Sequence, residues 1–167
     1  MKRYVPLLFL TLLTIIFDGC KKDPEPIEIT GHQQYGEPFS NVPATEDIVM
    51  YEVNLRAFSQ DGNLAGVQQK LDHLASSGVN VIWLMPIQTN GGPLNSPYCI
   101  SNFYEVDEDY GTLADLRTFV DEAHNRDMAV ILDWVANHTS WDHPWIDSTG
   151  WHTTDAQGNI IHPSGTT

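Results

Sequence analysis

The apolar positions that follow residue 45 change their spacing in a way that predicts a strand and then a helix. Residues 48–58 alternate apolar and polar side chains, which is the two-residue period of a strand with one buried face. The next apolar positions recur three or four residues apart as far as Gly78, which is typical of a helix that ends at a glycine. The apolar stripe of this helix consists of Leu64, Val67, Leu71 and Leu74.

Two further strands and another helix are predicted in the same alternating order. Residues 79–85 (VNVIWLM) form a nearly continuous apolar run, as expected of a strand buried on both faces. Thr112 and Asp115 have the spacing of a helix capping box. Residues 128–135 (MAVILDWV) predict a third strand, with Asp133 near its C-terminal end. The apolar positions of the intervening helix are Leu113, Leu116, Phe119, Val120 and Ala123.

Two α/β architectures begin with this order of elements: an open doubly wound sheet and a closed (β/α)8 barrel. The first strand-to-helix turn reads SQDGNLAG and lacks the G-x-G-x-x-G sequence that cradles a dinucleotide pyrophosphate. The polar face of the first strand (Glu52, Asn54 and Arg56) suits the mouth of a barrel. We therefore predict that residues 46–139 form the N-terminal part of a (β/α)8 barrel, with about three strands and two helices.

The first 45 residues predict export of the protein rather than a folded domain. Two basic residues precede an apolar run over residues 5–17, which is the order of a secretory signal peptide (residues 1–19) and is shorter than the roughly 20 residues of a membrane span. Gly19 and Cys20 resemble the end of a bacterial lipobox, so Cys20 is expected to carry a lipid that anchors the protein to the cell envelope; a plain signal peptide is the alternative. Residues 20–45 have the composition of a linker.

Charge and cysteine content limit the kinds of partner. The formal net charge of −14 disfavours nucleic acid and anionic membrane surfaces, and it favours a neutral ligand. The two cysteines, Cys20 and Cys99, do not indicate a disulfide framework.

Candidate chemistry is concentrated at the end of the third predicted strand, in the sequence DWVANH. Asp133 and Asn137 offer oxygen ligands suited to calcium, and a neutral His138 can donate a hydrogen bond to a sugar hydroxyl. Taken singly, these residues fit an ordinary turn equally well, because Asp and Asn are common turn formers.

The sequence from about residue 48 onward resembles the alpha-amylase family of glycoside hydrolases, family thirteen. VILDWVANH at residues 130–138 resembles the first signature block of that family, with its Asp, Asn and His in register. Residues 96–128 are similar to the family's approach to that block. YEVNLRAFS at residues 51–59 and GVNVIWLMPI at residues 78–87 are similar to its first two strands.

The resemblance implies a role for each matching residue. Tyr98 would stack under the sugar whose bond is cut, and His138 would hydrogen-bond a hydroxyl of that sugar. Asn137 would supply one oxygen to a structural calcium ion, and Asp133 would support the catalytic end of the barrel. The alternatives are an exposed loop tyrosine, an ordinary capped turn and a solvent-facing histidine.

Two features depart from the family pattern. Pro97 and Cys99 flank Tyr98 where Gly and Asp are more usual. The Asp61-Gly62-Asn63 turn resembles a shortened calcium loop, but two oxygen side chains are too few for an ion that takes 6 to 8 ligands, so no site is predicted there.

Three tryptophans follow the third strand: Trp141, Trp145 and Trp151. Their role is left open between lining a sugar cleft and forming a local core of their own loop.

Retaining glycoside hydrolysis needs a carboxylate nucleophile and a carboxylic acid about 5 to 5.5 Å apart. In the family these groups follow later strands, so they are expected to lie beyond Thr167, with residues 140–167 beginning an inserted domain. The resulting hypothesis is a fragment of a retaining alpha-glucan hydrolase that acts on starch-like or malto-oligosaccharide substrates. The alternatives are a non-catalytic oligosaccharide-binding lipoprotein and an inactive truncated product.

Because open sheet edges favour association, the isolated fragment is expected to be marginally stable.

Overall fold

The fold of the chain is described by a computed structural model over residues 35–92, 96–148 and 150–161. The predicted signal peptide (residues 1–19) and the predicted lipidation site, Cys20, lie outside the described residues. Within those ranges, no helix combines the length and the apolar character needed to cross a membrane.

The described residues contain short strands and helices in alternation. The strands are β1 Met50–Val53, β2 Val81–Leu84, β3 Gln88–Asn90, β4 Ile100–Val106 and β5 Ala129–Leu132. The α-helices are α1 Leu55–Phe58, α2 Leu64–Gln68, α3 Leu71–Ser76 and α4 Leu113–His124. Two 3₁₀ helices span Thr45–Asp47 and Pro144–Asp147.

A parallel sheet with the strand order β1-β2-β5 is the centre of the fold. In its register, Met50 is paired with Val81, and Val81 is paired with Ala129. These are the three strands predicted from the sequence, and their parallel arrangement confirms that prediction. β2 is the central strand and is largely buried, as its continuous apolar sequence predicted.

The first predicted strand is shorter than the sequence pattern indicated. It was expected over residues 48–58, but β1 ends at Val53 and the chain turns into α1. The backbone carbonyl of Asn54 accepts hydrogen bonds from Ala57 N at 3.0 Å and Phe58 N at 2.9 Å. The prediction is therefore wrong after Val53, because local helical hydrogen bonds replace the extended backbone.

The helix predicted before Gly78 is divided into α2 and α3. Lys70 leaves helical geometry with φ −110° and ψ 4°, which separates the two helices. The predicted apolar stripe is nevertheless the buried face, since all four of its residues are at most 3% exposed. Gly78 ends α3 with φ +86°, a left-handed conformation that glycine adopts without strain.

The main core lies between the helices and the parallel sheet. Phe119 and Ala123 of α4 belong to the same buried cluster as Ile82 and Leu84 of β2, and all four side chains are fully buried. Leu113 was predicted to belong to the apolar stripe of α4, but it is 52% exposed because it lies at the first position of the helix.

The outer strands of the sheet expose large apolar side chains. Met50 and Tyr51 of β1 are 44% and 42% exposed, and Ile131 and Leu132 of β5 are 41% and 45% exposed. Within the described residues, β1 and β5 are the edge strands of this sheet. Exposed apolar edges of this kind promote association between chains, so marginal stability of the isolated chain stays a prediction.

The capping box predicted at the start of α4 is present. Asp115 N donates to Thr112 Oγ1 at 3.2 Å, and Thr112 N donates to Asp115 Oδ2 at 2.7 Å. We expect Thr112→Ala to lower the free energy of unfolding by about 1 kcal/mol, because the first turn of α4 loses a hydrogen-bond acceptor. Urea unfolding of the variant and the wild type would measure the difference.

A matched control for this substitution lies on the same helix. Thr118 is exposed and its hydroxyl donates to the Ala114 carbonyl within the helix at 3.0 Å, so Thr118→Ala is expected to be neutral or slightly stabilising. Equal losses of stability in both threonine variants would contradict the assignment of Thr112 as the cap.

Hydrogen bonds from Thr112 hold the pKa of Asp115 below its usual value. The stability contributed by Asp115 is therefore present above its unfolded-state pKa and is lost as the pH falls through the lower folded-state pKa.

The segment before β1 packs against the end of α4. The Phe39 ring stacks on His124 with a centroid distance of 4.4 Å, and Asn41 Nδ2 donates to Asp127 Oδ1 at 2.8 Å. Residues 39–41 were included in the predicted linker over residues 20–45, so the last part of that stretch has fixed contacts with the barrel. These contacts lie at the N-terminal end of the parallel strands, because α4 leads into the start of β5.

Candidate active site

The carboxyl ends of the parallel strands form one edge of the sheet, and Asp133 lies on it. Asp133 directly follows β5, and its backbone N–H donates to the Leu84 carbonyl of β2 at 3.0 Å. Met85 N donates in the same way to the Val53 carbonyl of β1 at 3.0 Å. Ligand-binding groups of parallel barrels project from this edge, so the structure places Asp133 where such a group belongs.

Tyr98 is hydrogen-bonded to Asp133 although 35 residues separate them in the sequence. The Tyr98 hydroxyl donates to Asp133 Oδ2 at 2.8 Å. This hydrogen bond raises the pKa of Tyr98 to about 12, with further contributions from burial and from the negative charges of Asp133 and Glu52. The hydroxyl is therefore protonated at neutral pH and fixes the direction of the ring.

The β3–β4 hairpin holds Tyr98 in this position. Tyr98 lies in the turn that precedes β4, where Gly91 N donates to the Cys99 carbonyl at 3.0 Å. No strand was predicted between residues 86 and 111, so the hairpin was missed from the sequence. Its signal was residues 100–106 (ISNFYEV), which are rich in residues with high strand propensity.

A buried carboxylate closes the base of the hairpin. Asp107 is 7% exposed, and its Oδ2 accepts hydrogen bonds from the backbone N of Asn90 at 3.2 Å and from Asn90 Nδ2 at 2.7 Å. Its other oxygen accepts from Asp109 N at 3.0 Å. Three N–H groups therefore satisfy the buried carboxylate and tie β3 to the end of β4.

Asn137 and His138 lie on the loop after β5, at the same end of the sheet as Tyr98 and Asp133. Both side chains are exposed, and Asn137 Nδ2 lies 3.3 Å from His138 Nδ1. They line an open groove of about 1380 Å³, which Cys99, the neighbour of Tyr98, also lines. The structure thus brings all four predicted residues to one end of the fold.

The same groove is bordered by aromatic side chains, several of them largely exposed. Tyr104 is 80% exposed, Trp134 is 78% exposed and Trp151 is 67% exposed. A groove with aromatic faces and neighbouring polar groups suits a neutral sugar, which offers apolar ring faces and hydroxyl groups.

His143 is a structural residue of this region that the sequence analysis missed. It is 4% exposed, and its Nδ1 accepts a hydrogen bond from Trp145 N at 3.0 Å, which caps the 3₁₀ helix at Pro144–Asp147. Burial lowers the pKa of His143, and the charge of the neighbouring Asp142 opposes this effect. A histidine followed by proline in a turn-rich segment was the only sequence signal.

We expect the stability contributed by His143 to be present above its unfolded-state pKa of about 6.5 and to fall as the pH drops through the lower folded-state pKa. The reason is that burial disfavours the charged imidazolium, and a protonated Nδ1 also cannot accept the hydrogen bond from Trp145 N. His143→Asn keeps a capping acceptor without the titration, so its melting temperature is expected to vary less between about pH 7 and pH 5. Thermal melts of both proteins would test this; identical pH dependence would contradict it.

Asn137, the predicted calcium ligand, lies in a part of the chain where the described residues show no cluster of metal-binding side chains of the acidic, histidine or cysteine type. Over residues 35–92, 96–148 and 150–161, no group of three or more His, Cys, Asp or Glu side chains could hold a metal ion. Asn137 can contribute one oxygen to an ion that takes 6 to 8 ligands. In the Asp61–Asn63 turn, Asn63 Oδ1 accepts from Gly66 N at 3.0 Å and caps α2.

Comparison with known proteins identifies relatives over most of this region. Residues 33–159 match the family model described as alpha amylase, catalytic domain. An alpha-glucosidase from Apis mellifera is 38% identical over 106 residues, which are 60% of this chain and 18% of that protein. The chain therefore spans less than a fifth of the length of this relative.

Two solved structures resemble the chain in both fold and sequence. The crystal structure of an alpha-amylase from Lactobacillus plantarum has a TM-score of 0.67 and 37% identity, covering 71% of this chain and 30% of that one. The alpha-amylase from Geobacillus thermoleovorans, complexed with acarbose, has a TM-score of 0.56 and 40% identity, covering 62% of this chain and 26% of that one. These similarities confirm the prediction that the chain forms the N-terminal part of a (β/α)8 barrel.

Proposed function

Because the chain belongs to the alpha-amylase family of glycoside hydrolases, we propose that the complete protein hydrolyses α-glucosidic bonds in starch-like glucans or malto-oligosaccharides, with retention of the anomeric configuration. The single observation that carries this proposal is the hydrogen bond of 2.8 Å between Tyr98 and Asp133 at the carboxyl edge of the sheet. It joins an aromatic ring to the mouth of the barrel, where a sugar ring can stack on it.

Each residue at this edge has a role in the proposal. The Tyr98 ring supports the apolar face of the sugar whose bond is cut. His138, exposed in the groove, donates a hydrogen bond to a hydroxyl of that sugar. Asp133 holds the Tyr98 ring through the hydroxyl and thereby orients the sugar without contacting it.

We propose that the residues that break the bond follow later strands of the barrel, as the resemblance to the family implies. Retention requires a nucleophilic carboxylate and an acid/base carboxyl group about 5 to 5.5 Å apart. We assign neither role to Asp133, which accepts a hydrogen bond from Tyr98, nor to Asp107, which is buried at the base of the hairpin.

Calcium is proposed as a structural ion, with Asn137 as one oxygen ligand and the other ligands outside the described residues. Isothermal titration of the metal-free complete protein with CaCl₂ would test this. Asn137→Ala is expected to weaken calcium binding, whereas Asn102→Ala, which removes a carboxamide from β4, is expected to leave it unchanged. Equal calcium affinity in the Asn137 variant would exclude the role.

Export and lipidation at Cys20 are also proposed, supported by the basic and apolar order of the first 20 residues. Mass spectrometry of the N-terminal peptide from the membrane fraction would detect the lipid. Cys20→Ser is expected to release the protein from that fraction, whereas Cys99→Ser is not. An unmodified Cys20 in the mature protein would overturn the proposal.

Hydrolysis with retention is tested by incubating the complete protein with maltotriose and following the products by proton NMR. We expect the α-anomer to appear first and to mutarotate afterwards. Initial formation of the β-anomer would overturn the retaining mechanism. Binding of maltotriose without cleavage would instead support a non-catalytic oligosaccharide-binding protein.

A further inference from the structure

The peptide bond at the end of β3 joins Asn90 to Gly91, and this is the only Asn-Gly pair in the sequence. Such a pair is chemically labile, because the backbone nitrogen of the glycine can attack the side-chain carbonyl carbon of the asparagine and no Cβ obstructs the approach. The neighbouring strand offers a contrast, since Asn102 of β4 precedes the bulky Phe103. The sequence therefore marks Asn90 as the asparagine most prone to lose its amide.

In the folded chain the reacting groups of this pair are all hydrogen-bonded. Asn90 Nδ2, the nitrogen that would leave, donates to Asp107 Oδ2 at 2.7 Å. Asn90 Oδ1 accepts from Gly92 N at 3.2 Å. Gly91 N, the nitrogen that would attack, donates to the Cys99 carbonyl at 3.0 Å. The attack therefore requires these hydrogen bonds to break first.

Burial at the base of the hairpin gives a second kind of protection. Asn90 is 9% exposed, and its partner across the hairpin, Ile100, is 0% exposed. Deamidation consumes water and needs a base from solvent, so solvent must reach the Asn90 side chain before it can react. A local opening of the hairpin base would admit both, and local openings of this kind need less free energy than unfolding of the whole domain.

Deamidation at this bond exchanges atoms only with water. Hydroxide takes the proton of Gly91 N, the nitrogen forms a bond to Cγ of Asn90, and the Cγ–Nδ2 bond breaks. The Nδ2 group takes a proton from water and leaves as ammonia. Water then opens the resulting cyclic succinimide at either carbonyl, which leaves an aspartate or an isoaspartate at position 90. No atom is oxidised or reduced.

Neither product fits the base of the hairpin. An aspartate at position 90 places a carboxylate oxygen against Asp107 Oδ2 in place of the N–H donor, and two buried carboxylates repel each other. An isoaspartate carries the main chain through its side-chain carbon, which lengthens the backbone and moves Gly91 N out of register with the Cys99 carbonyl. The turn that ends at Cys99 also carries Tyr98, so the disturbance reaches the Tyr98 ring.

We propose that Asn90 is a deamidation site that the β3–β4 hairpin protects, and that its conversion opens the hairpin base and releases Tyr98 from Asp133. The reaction is irreversible under ordinary conditions, so this single bond sets how long the candidate site keeps its geometry. The inference does not depend on the proposed function, because it concerns one peptide bond and the hydrogen bonds around it.

The first test compares the folded and the unfolded complete protein in a mildly alkaline buffer, without and with guanidinium chloride. Peptide mass spectrometry with fragmentation would follow the change from amide to acid at Asn90, and Asn102 serves as the internal reference. We expect Asn90 to react roughly tenfold or more faster in the denaturant than in the folded protein. Equal rates in the two conditions, or a rate in denaturant no higher than that of Asn102, would overturn the proposal.

Two variants separate the protection from the chemistry. Asp107→Ala removes the acceptor of the Asn90 amide and is expected to speed deamidation of the folded protein by roughly three- to tenfold, whereas Glu108→Ala, an exposed neighbour, is expected to keep the wild-type rate. Gly91→Ala leaves Asp107 in place and is expected to slow the reaction in denaturant by roughly tenfold, because a Cβ then obstructs the attack. A Gly91 variant that reacts as fast as the wild type would contradict the assigned bond.

The consequence for Tyr98 is tested with Asn90→Asp, which has the same side chain as the aspartate product. We expect its melting temperature to fall by roughly 5 °C or more, and the pKa of Tyr98 to fall from about 12 towards the ordinary value of about 10 as the contact with Asp133 is lost. Asn102→Asp adds the same charge to the same hairpin and is expected to leave the tyrosinate titration unchanged. Wild-type stability and titration in the Asn90 variant would overturn the proposed release of Tyr98.

Discussion

Tyr98→Ala is expected to lower kcat/KM for maltotriose by roughly 100-fold. The variant loses the ring that supports the sugar, which is expected to contribute about 0.5 to 1.5 kcal/mol to stabilisation of the transition state. It also removes the hydroxyl that donates a hydrogen bond to Asp133, which is expected to contribute about 1.5 to 3 kcal/mol more. Tyr98→Phe keeps the ring and loses only the hydroxyl, so a smaller loss of roughly 10- to 50-fold is expected. Steady-state kinetics of the complete protein would measure both effects.

A spectroscopic measurement distinguishes orientation of the ring from a general structural effect. The pKa of Tyr98 is raised to about 12, chiefly by its hydrogen bond to Asp133. In Asp133→Asn this pKa is expected to fall towards the ordinary value of about 10, because the negative charge is removed. Ultraviolet difference titration of tyrosinate would follow the shift. An unchanged titration, or equal activity losses in Tyr98→Ala and Tyr98→Phe, would contradict the proposed geometry.

Phe119→Ala is expected to lower the free energy of unfolding by about 3 to 5 kcal/mol. Phe119 is 0% exposed and lies in the core between α4 and the sheet, so its removal combines lost apolar burial with a cavity. Natural domains are stable by only about 5 to 15 kcal/mol, so the change is a large part of the total. Urea unfolding of the complete protein, followed by circular dichroism, would measure it.

The matched control is Leu113→Ala on the same helix. Leu113 is 52% exposed, and its truncation is expected to change stability by about 0.5 kcal/mol or less. Comparable losses in the two variants would show that α4 does not pack through Phe119 as described. A large loss for Leu113 alone would place the buried face of α4 on the opposite side.

Several elements could be predicted from the sequence because local patterns define them. The three strands of the parallel sheet, the buried stripe that begins at Leu64, the end of α3 at Gly78 and the capping box of α4 all follow from short-range periodicity or from residues a few positions apart. The match of residues 130–138 to a family signature also indicated where the ligand end of the barrel lies. Roles for Asn137, His138 and the lipidation of Cys20 stay predictions.

The tertiary structure decided the features that depend on contacts between distant residues. Residues 48–58 alternate like one strand, but β1 ends at Val53, where its pairing with Leu84 at the end of β2 also stops. The β3–β4 hairpin has weak local signals and is defined by the buried hydrogen bonds between Asp107 and Asn90.

The candidate site itself shows the same division between local and distant information. Sequence alone placed Asp133 near a strand end and proposed Tyr98 from a resemblance, but their hydrogen bond spans 35 residues. Likewise, the sequence left the tryptophans of the groove unassigned, and the folded chain brings the rings of Trp145 and Trp151 into contact with each other and that of Trp145 into contact with Phe103. Local periodicity specifies which residues are buried, whereas only the tertiary fold specifies which of the remaining side chains contact one another.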